Sequence, residues 1–387
     1  MKNISNNWSL EDYSYINFAP DKYYDEENRS WQGCPTVAVT RKGRLFAGWY
    51  SGGVLEPCIN NYNIIVMSDD AGDSWSSPIL AVESDREKRL RMIDVELWVN
   101  RDNSLWMMWT TSPYSENSPL STIKTPFNFD YHREFLDTMV MICKDPDADV
   151  LVWEEPRIMC RGFMRNKPIV TLSGRIIAPG YNYGGDKYML SCSDDGGKSF
   201  HVVTADGKPD INTFDEISIC ERRPNELRFL SRTQRGFYAY SDSFDGGNTW
   251  TVACEYEKAP STRCYFGKLK SGIIAYVRNV SDAERRGMKI CLSINGGDTF
   301  PYEMILDDRE NISYPDLDED ENGNIYIVYD RERNNSIKLD KKRWISAAAK
   351  EILVCKITAD DVMQNRLAEH SFVRKVISKA RIDTVEV

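Results

Sequence analysis

Short apolar runs of strand-forming residues alternate with polar turn segments along most of the chain. One stretch shows the pattern in four successive runs: Glu216–Ile219, Leu227–Leu230, Gly236–Ser241 and Thr251–Cys254. Runs of this length, bounded by Gly, Asn, Asp and Ser, are typical of β-strands joined by hairpin turns. This stretch therefore predicts one unit of four strands.

A short motif recurs between the runs: Ser, any residue, Asp or Asn, any residue, Gly, any residue, Ser or Thr, aromatic. Its four copies are Ser68-Asp70-Gly72-Ser74-Trp75, Ser193-Asp195-Gly197-Ser199-Phe200, Ser243-Asp245-Gly247-Thr249-Trp250 and Ser293-Asn295-Gly297-Thr299-Phe300. The last three begin fifty residues apart, and fifty before Ser193 lies Cys143-Lys144-Asp145, which looks like a decayed copy. Four strands repeating at about fifty residues are typical of a β-propeller blade.

The motif is expected to be structural. An Asp or Asn side chain folds onto nearby backbone N–H groups, Gly supplies positive φ, and the aromatic residue anchors the turn on the sheet. A calcium loop is the alternative, but the motif lacks the number of oxygen ligands that such a loop uses. We therefore expect hairpin turns at these positions.

Six such units are predicted, which makes the fold class all-β: a six-bladed β-propeller of four-stranded antiparallel blades. We expect one domain over residues 1–387, with blades at about 33–88, 92–160, 165–209, 214–258, 261–307 and 312–378. Insertions are expected at Ser112–Phe135 and at Arg333–Lys350, where the alanine-rich Trp344–Lys350 is predicted to form a short helix. Residues Tyr15–Phe18 are predicted to pair with the last unit, which would close the ring and remove exposed strand edges.

Composition narrows the possible partners. The chain has 387 residues and a net charge of −10, with no long basic run, so nucleic acid is an unexpected partner. Its ten cysteines never occur as CxxC and several lie in apolar runs, which favours buried reduced thiols over a disulfide framework or a zinc site. With only three scattered histidines, a histidine metal site or a Ser-His-Asp triad is not expected.

No run of about 20 apolar residues is present, and the first residues lack the order of a secretory signal. The sequence alone therefore predicts a soluble, cytoplasmic protein without a membrane partner. It contains nothing that fixes the oligomeric state.

Residues that open the innermost strand of each blade are the candidates for chemistry, because these strands run along the central channel of a propeller. The residues at these positions are Gly33 to Cys34, Asp94, Lys167, Glu216, Arg263 and Tyr314. Charged or phenolic groups at five of six equivalent positions are unexpected in strands otherwise rich in Val, Ile and Leu. The alternative is a set of polar residues that hold water and each other.

The four turns and the stretch from Glu216 to Tyr314 resemble the sialidase (neuraminidase) superfamily of Asp-box, or BNR-repeat, six-bladed propeller glycosidases. That family has an active-site Glu followed by two strands and an Arg of a carboxylate-binding triad. Glu216-Ile-Ser-Ile-Cys-Glu followed by Leu227-Arg-Phe-Leu-Ser-Arg232 resembles this order. The resemblance covers most of the chain in layout and is residue-specific mainly from 216 to 330.

Two further positions resemble the family's site. Arg285 precedes the Asp-box strand of the fifth blade, where the family has its last triad arginine, with Arg286 as the alternative. Ser313-Tyr314-Pro315 resembles the turn that carries the family's nucleophilic tyrosine. The resemblance thus implies Tyr314 as nucleophile, Glu216 as its base, and Arg232 and Arg285 as carboxylate ligands. Arg263 and Lys167 are further candidates for substrate binding.

The first blade departs from the family. Sialidases open it with Arg-Ile-Pro, whereas this chain has Gly33-Cys34-Pro35. Arg29 or Gln32 are the candidates to replace the missing arginine. The family's acid/base Asp has no direct counterpart, which leaves Glu56 and Asp94 as alternatives for the general acid.

The resemblance implies an exo-acting glycoside hydrolase that releases a terminal acidic sugar from an oligosaccharide or glycoconjugate, with no metal or organic cofactor. Cleavage of a glycosidic bond needs one group to protonate the leaving oxygen and another to stabilise or trap the anomeric centre. A tyrosine is neutral, so a substrate that carries a carboxylate at that centre does not repel it. Sialic acid and uronic acids are both candidate sugars. The alternatives are a catalytically silent glycan-binding propeller, a propeller polysaccharide lyase and a protein scaffold.

Overall fold

The computed structural model describes residues 4–6, 8–9, 11–53, 56–57, 59–113, 136–181, 185–211, 214–333, 336–338, 343–346, 349–382 and 384–386. Most of the expected insertion Ser112–Phe135 lies outside these residues. The chain divides into two compact units. The first comprises Met1–Arg157, Tyr329–Val354 and Val376–Val387, and the second comprises Ile158–Val328 and Cys355–Lys375.

The first unit contains two antiparallel sheets that follow one another along the chain. Its strands are β1 (Ile4–Asn6), β2 (Ile16–Asn17), β3 (Trp31–Val39), β4 (Leu45–Gly52), β5 (Tyr62–Ser68), β6 (Leu80–Glu83), β7 (Leu90–Val99), β8 (Leu105–Pro113), β9 (Asp137–Cys143) and β10 (Leu151–Trp153). The first sheet has the order β2-β6-β5-β4-β3 and the second β1-β10-β9-β8-β7. β1 is the exception to the antiparallel pattern, because it pairs with β10 in parallel. Three short 3₁₀ helices lie at Glu11–Tyr13, Lys22–Tyr24 and Glu26–Asn28.

The second unit holds three consecutive four-stranded antiparallel sheets. Its strands are β11 (Arg157–Arg161), β12 (Phe163–Met164), β13 (Ile169–Val170), β14 (Ile176–Ala178), β15 (Gly180–Tyr181), β16 (Tyr188–Ser193), β17 (His201–Ala205), β18 (Ile217–Arg223), β19 (Glu226–Ser231), β20 (Phe237–Ser243), β21 (Cys254–Lys258), β22 (Tyr265–Lys268), β23 (Ile274–Arg278), β24 (Arg286–Ser293) and β25 (Tyr302–Glu310). The sheet orders are β13-β14-β16-β17, β18-β19-β20-β21 and β22-β23-β24-β25, with a two-stranded pair β12-β15. β11 pairs with β9.

A sixth four-stranded sheet follows in sequence. It consists of β26 (Ile312–Glu319), β27 (Asn324–Arg331), β30 (Glu351–Thr358) and β31 (Phe372–Lys379) in that order. A small sheet is formed by β28 (Ser336–Lys338), β29 (Arg343–Ser346) and β32 (Thr384–Glu386). The described residues include one α-helix, α1 (Ala359–Gln364), which begins with a capping box between Thr358 and Asp361. The predicted fold class is confirmed: the chain is an all-β, six-bladed propeller.

Two local predictions were wrong. Residues 343–346 form strand β29, so the Trp344–Lys350 segment does not begin as a helix, because pairing with β28 and β32 overrides its helix propensity. The N-terminal Ile16 and Asn17 pair with Val82 and Ala81 of the first sheet rather than with the last unit. There they complete the outer edge of the first blade.

The recurring motif forms a turn held by its own side chains, as predicted. In the copy at Ser193, the serine Oγ accepts from the Gly197 N–H at 2.8 Å and donates to Asp195, whose Oδ1 accepts from the Ser199 N–H at 3.0 Å. The other three copies repeat these contacts. In the first copy, hydrogen bonds from Ser74 lower the pKa of Asp70 to about 2. The carboxylates are therefore used within the turn.

Buried polar side chains join the innermost strands of neighbouring sheets in the second unit. Asn166 Nδ2 donates to the Ile217 carbonyl at 2.8 Å, and the Phe266 N–H donates to Ser218 Oγ at 2.8 Å. Asn279 Nδ2 donates to the Ile312 carbonyl, also at 2.8 Å. These bonds fix the starts of β18, β22 and β26, where candidate residues lie.

Apolar cores lie between the sheets. Ile177, Leu190, Ile219 and Phe229 are fully or almost fully buried in one cluster of the second unit, together with the rings of Tyr188 and Trp250. Of the nine cysteines that the structure describes, eight are buried, as expected, and Cys254 is exposed; none of the nine forms a disulfide. Within the described part of the chain, no helix has the length and apolar character to cross a membrane.

Candidate active site

Tyr314 forms the centre of a buried polar cluster in the second unit. It lies near the start of β26 with a left-handed backbone (φ +57°), and only 4% of its surface is exposed. Its hydroxyl donates to Glu216 Oε1 at 2.6 Å. A left-handed tyrosine is strained, and such strain is found preferentially at functional sites. The structure thus brings together two residues that the sequence singled out.

Arg232 completes a triangle with this pair. Its Nη1 donates to the Tyr314 hydroxyl at 3.0 Å and lies 3.1 Å from Glu216 Oε2. Glu216 immediately precedes β18 and Arg232 immediately follows β19, so the hairpin between them places both side chains at one end of the fourth sheet. The phenolic oxygen therefore has both a carboxylate acceptor and a cationic donor.

Arg285 and Arg232 donate hydrogen bonds to the same residue, Ser261. Its Nη2 donates to the Ser261 carbonyl at 2.9 Å, while Arg232 Nε donates to Ser261 Oγ at 3.1 Å. The Arg285 guanidinium carbon is 5.5 Å from the centre of the Tyr314 ring. The alternative, Arg286, is exposed in β24, where its backbone pairs with Glu310. The geometry therefore selects Arg285, and it adds Ser261, which the sequence did not indicate.

Two further arginines lie against the Tyr314 ring. The guanidinium carbon of Arg263 is 5.6 Å from the ring centre and that of Arg165 is 5.1 Å from it. Arg263 was a sequence candidate, but Arg165 was missed. The sequence did carry a signal for Arg165. Arg165 precedes Glu216 by 51 residues and Lys167 precedes it by 49, so both intervals are close to the blade period of about fifty. The interval alone therefore does not choose between the two residues.

Lys167 does not join this cluster directly. Its Nζ lies 3.2 Å from Asp316 Oδ2 and donates to the Leu317 carbonyl at 2.9 Å. The Asp316 side chain is fully buried, and Asp318 is 3.9 Å from the same ammonium group. Lys167 thus contacts β26, the strand that carries Tyr314, at residues that follow the tyrosine.

The electrostatics favour an ionised Glu216. Its burial opposes ionisation, but the charges of Arg232 and Arg165 and the hydrogen bond from Tyr314 outweigh that cost and lower the pKa of Glu216. The neighbouring Asp215 differs: burial raises the pKa of Asp215 to about 7, although Lys208 opposes this. Two adjacent carboxyl groups therefore have opposite tendencies. Glu216 is suited to accept a proton.

The candidates in the first unit share a backbone feature with Tyr314. Cys34 (φ +60°) and Asp94 (φ +62°) are left-handed, and each lies in a register shift of the innermost strand of its sheet, β3 or β7. Both are almost fully buried. Asp94 therefore occupies, in its own blade, a position with the same unusual conformation as the tyrosine.

Glu56 contacts an arginine that the sequence did not indicate. Its Oε1 lies 2.9 Å from Arg333 Nη1, and the Cys34 thiol donates to its Oε2 at 3.5 Å. Arg333 Nη1 also contacts the Cys34 sulfur, and its Nε lies 3.6 Å from Asp330. A thiol, two carboxylates and a guanidinium thus form one cluster, which is buried except for the partly exposed Glu56.

Arg333 fills the space above Gly33. A Cβ at residue 33 would lie 2.6 Å from Arg333 Cδ and 3.1 Å from Asp330 Oδ2. Glycine at position 33 therefore leaves room for an arginine side chain that arrives from residue 333. The aliphatic part of the Arg333 side chain thus lies where a side chain at residue 33 would begin.

Arg29 and Gln32 have their polar atoms engaged elsewhere in the first unit. Arg29 Nε donates to the Tyr24 carbonyl at 2.8 Å and its Nη1 to Ser378 Oγ at 2.7 Å. Gln32 donates to the Lys350 carbonyl at 2.7 Å and accepts from Trp49 Nε1 at 3.1 Å. This buried network is structural, and we do not retain the two residues as ligand-binding candidates.

Comparisons with known proteins agree with this fold. A family described as BNR repeat-like domain matches residues 145–327. A search of curated proteins gives no match. Among solved structures, the chain is similar to an intramolecular trans-sialidase from Ruminococcus gnavus, with 15% identity, a TM-score of 0.64 and coverage of 90% of this chain and 97% of that one.

Two other similar structures are also named as sialidases or trans-sialidases. The leech intramolecular trans-sialidase shows 14% identity and a TM-score of 0.64, with coverage of 90% of this chain and 71% of that chain. The Hadza microbial sialidase Hz136 shows 17% identity and a TM-score of 0.62, and 79% of this chain is covered. The match spans 64% of that sialidase, less than two thirds of its length. At these identities the structures show the fold alone. The chain thus has a BNR repeat-like match over slightly less than half of its length, on a six-bladed β-propeller fold that it shares with sialidases and trans-sialidases.

Proposed function

We propose that the chain is an exo-acting glycoside hydrolase of sialidase type, which releases a terminal acidic sugar from a glycan. The observation that carries this proposal is the 2.6 Å hydrogen bond from the Tyr314 hydroxyl to Glu216 Oε1. A nucleophile within hydrogen-bond reach of a base, which is itself oriented by a third group, is the arrangement that covalent catalysis needs. Here Arg232 is the orienting group.

The proposed chemistry has two steps. In the first, Glu216 accepts the phenolic proton, the phenolic oxygen bonds to the anomeric carbon, and the glycosidic C–O bond breaks as the leaving oxygen takes a proton from a general acid. In the second, the general acid, now deprotonated, takes a proton from the attacking water, the new C–O bond forms as the bond to Tyr314 breaks, and the phenolic oxygen takes back its proton from Glu216. Arg232 Nη1 donates to the phenolic oxygen and stabilises negative charge that develops there.

The substrate class follows from the charges around the phenol. Arg232 and Arg285 both donate to Ser261, and neighbouring guanidinium groups suit a carboxylate. A neutral phenol approaches an anomeric centre that bears a carboxylate without charge repulsion. Sialic acid and the uronic acids are the acidic sugars to compare.

Two residues of the first unit are given proposed roles. Asp94 is preferred over Glu56 as the general acid, because Asp94 shares the left-handed inner-strand geometry of Tyr314, whereas the Glu56 carboxylate is paired with Arg333. Arg333 is proposed as the guanidinium that the resemblance expects at position 33, since it occupies the space above Gly33.

The test is the release of 4-methylumbelliferone from its α-sialoside and its β-glucuronide. The proposal expects turnover of at least one, reduced at least about a hundredfold in Tyr314→Phe. Tyr276→Phe is the matched control, because Tyr276 is also a buried tyrosine whose hydroxyl donates to a glutamate, Glu257, at 2.5 Å. Its turnover should stay within about twofold of the parent.

The same assay separates the alternatives. Binding of acidic oligosaccharides by calorimetry without any product would indicate a glycan-binding propeller and refute the hydrolase. An unsaturated product that absorbs in the ultraviolet would indicate a lyase. Equal turnover by the parent and Tyr314→Phe would remove the tyrosine from the mechanism.

A further inference from the structure

Two buried arginines lie close to the ring of the proposed nucleophile, in addition to the partners of its hydroxyl. Arg165 follows β12 and Arg263 precedes β22, so they come from different sheets of the second unit. Their guanidinium carbons are 5.1 and 5.6 Å from the centre of the Tyr314 ring. Both distances are within the range of cation–π attraction.

These arginines are as deeply buried as the phenol that they contact. Arg165 and Tyr314 are each 4% exposed, and Arg263 is completely buried. Arg263 Nη1 donates to the Arg165 carbonyl, which links the two segments. Burial of a guanidinium is costly unless its surroundings repay the cost, and an apolar side chain would pack against a phenol ring without that cost.

Several guanidinium groups lie near the phenol of Tyr314. The guanidinium carbons of Arg165, Arg263 and Arg285 are 5.1, 5.6 and 5.5 Å from the centre of the ring, and Arg232 donates to the hydroxyl. Nearby charges on the same elements form ion pairs: Lys167 with Asp316, and Lys208 with Asp215. Guanidinium groups from four segments of the chain therefore come close to this one tyrosine.

Such an environment favours negative charge on the ring. When the phenolic proton moves to Glu216, the ring gains electron density, and its attraction to nearby cations increases. The charge of Arg165 also favours the ionised form of Glu216, which keeps the acceptor a carboxylate but makes it a weaker base. The two buried arginines therefore favour the phenolate rather than the protonation of Glu216.

We propose that Arg165 and Arg263 are positioning residues that hold the Tyr314 ring and stabilise its phenolate during the reaction. This inference rests on the proposed role of Tyr314 as nucleophile. It adds two arginines to the proposed carboxylate ligands Arg232 and Arg285. The two added arginines act on Tyr314 rather than on the sugar.

The first test needs no substrate. Tyrosinate absorbance near 295 nm is titrated in the parent chain and in Tyr314→Phe, and the difference reports the ionisation of Tyr314. In Arg165→Met and Arg263→Met, we expect the midpoint to move to higher pH by at least about one unit, a tenfold change in the ionisation constant. Arg165→Lys and Arg263→Lys, which retain the charge, should recover part of that shift.

Arg278→Met is the matched control. Arg278 is a buried arginine of the same unit, and its guanidinium carbon lies 6.0 Å from the ring of another tyrosine, Tyr238. It should leave the Tyr314 midpoint unchanged. Where a methionine variant does not fold, as judged by circular dichroism, the corresponding glutamine variant takes its place. An unchanged midpoint in folded neutral variants at both positions would overturn the proposal.

The second test uses the substrate that the 4-methylumbelliferone assay identifies. Arg165→Met and Arg263→Met should lower kcat at least tenfold with KM within about twofold, because neither side chain is expected to contact the sugar. A rise in KM with unchanged kcat would instead make them substrate ligands and refute the positioning role. If the parent shows no turnover, the proposed hydrolase fails, while the titration still decides whether the two arginines favour the phenolate.

Discussion

The phenolic oxygen of Tyr314 lies 2.6 Å from Oε1 of Glu216, although 98 residues separate the two along the chain. Replacing Glu216 with Gln keeps the size of the side chain but removes the proton acceptor. We expect kcat to fall by a factor of about 10² to 10⁴, the usual contribution of a general base. Steady-state kinetics on the substrate identified above measure this change.

Glu257→Gln is the control for that variant. Glu257 accepts a hydrogen bond from the Tyr276 hydroxyl in the same unit, so it tests the loss of a tyrosine–glutamate contact as such. Its kcat should remain within about twofold of the parent. Parental activity in Glu216→Gln would exclude Glu216 as the base.

Gly33 and Arg333 are expected to be coupled in stability. Gly33→Ala places a Cβ 2.6 Å from Arg333 Cδ, and Arg333 is held by Glu56 and Asp330. Overpacking of this kind costs about 1–3 kcal/mol. In an Arg333→Ala background the obstructing Cδ is gone, while Asp330 Oδ2 remains 3.1 Å from the new Cβ, so the same glycine substitution should cost clearly less.

A double-mutant cycle measured by urea denaturation checks this coupling. We expect an interaction free energy of about 1 kcal/mol or more between the two sites. Additive effects would show that the arginine side chain does not occupy the space above Gly33 in solution.

Asp215 should make stability depend on pH between about 4 and 7. Burial raises its pKa in the folded state from 3.8 to about 7, so in this window the folded chain binds more protons than the unfolded chain. The free energy of unfolding therefore falls as pH rises through the window, and the contribution is constant above it. The double variant Asp215→Asn, Lys208→Met removes both members of the buried pair. Its free energy of unfolding should lack this part of the dependence on pH.

Urea unfolding at pH 4.5 and pH 7.5 gives the change in the free energy of unfolding between the two pH values, for the parent and for the double variant. Groups that titrate in both proteins contribute equally to both changes, so the difference between the two changes reports Asp215. An identical change of stability with pH in the two proteins would rule out a raised pKa for Asp215.

The Asp-box turns are expected to act as structural elements independent of calcium. Ser193 is fully buried, and its Oγ bonds both to the Gly197 N–H and to Asp195. Ser193→Ala leaves that N–H without its acceptor and should cost about 1–3 kcal/mol, with kcat unchanged. A chelator should leave the melting temperature of the parent unaltered, and a drop in that temperature would instead favour a calcium loop.

The fold was accessible from sequence because its signal is local and repeated. Each motif copy such as Ser193–Phe200 forms a turn by bonds within a few residues, so the pattern of residue types is nearly sufficient to predict it. The failures concern segments whose pairing is chosen by distant partners. Ile16 and Asn17 find the edge strand β6, and Trp344 pairs with Val385, and neither partner can be read from local composition.

The site was only partly accessible for the same reason. The resemblance and the blade interval led to Tyr314, Glu216, Arg232 and Arg285, which the structure brings together. Arg165 was missed because two residues near the same blade position satisfy the interval equally well. Arg333 could not be found, because its relation to Gly33 depends on the path of a side chain from the other end of the chain.

The most direct measurement is the identification of the residue that becomes bonded to the sugar. A fluorinated glycosyl fluoride of the acidic sugar that is hydrolysed slows the second step, so the covalent intermediate accumulates. Mass spectrometry should then find one added glycosyl unit on the tryptic peptide 310–331, with fragmentation locating it on Tyr314 rather than on Tyr326 or Tyr329. Adduct formation on another residue, or time-dependent turnover without any adduct on this peptide, would contradict the assignment of Tyr314 as nucleophile.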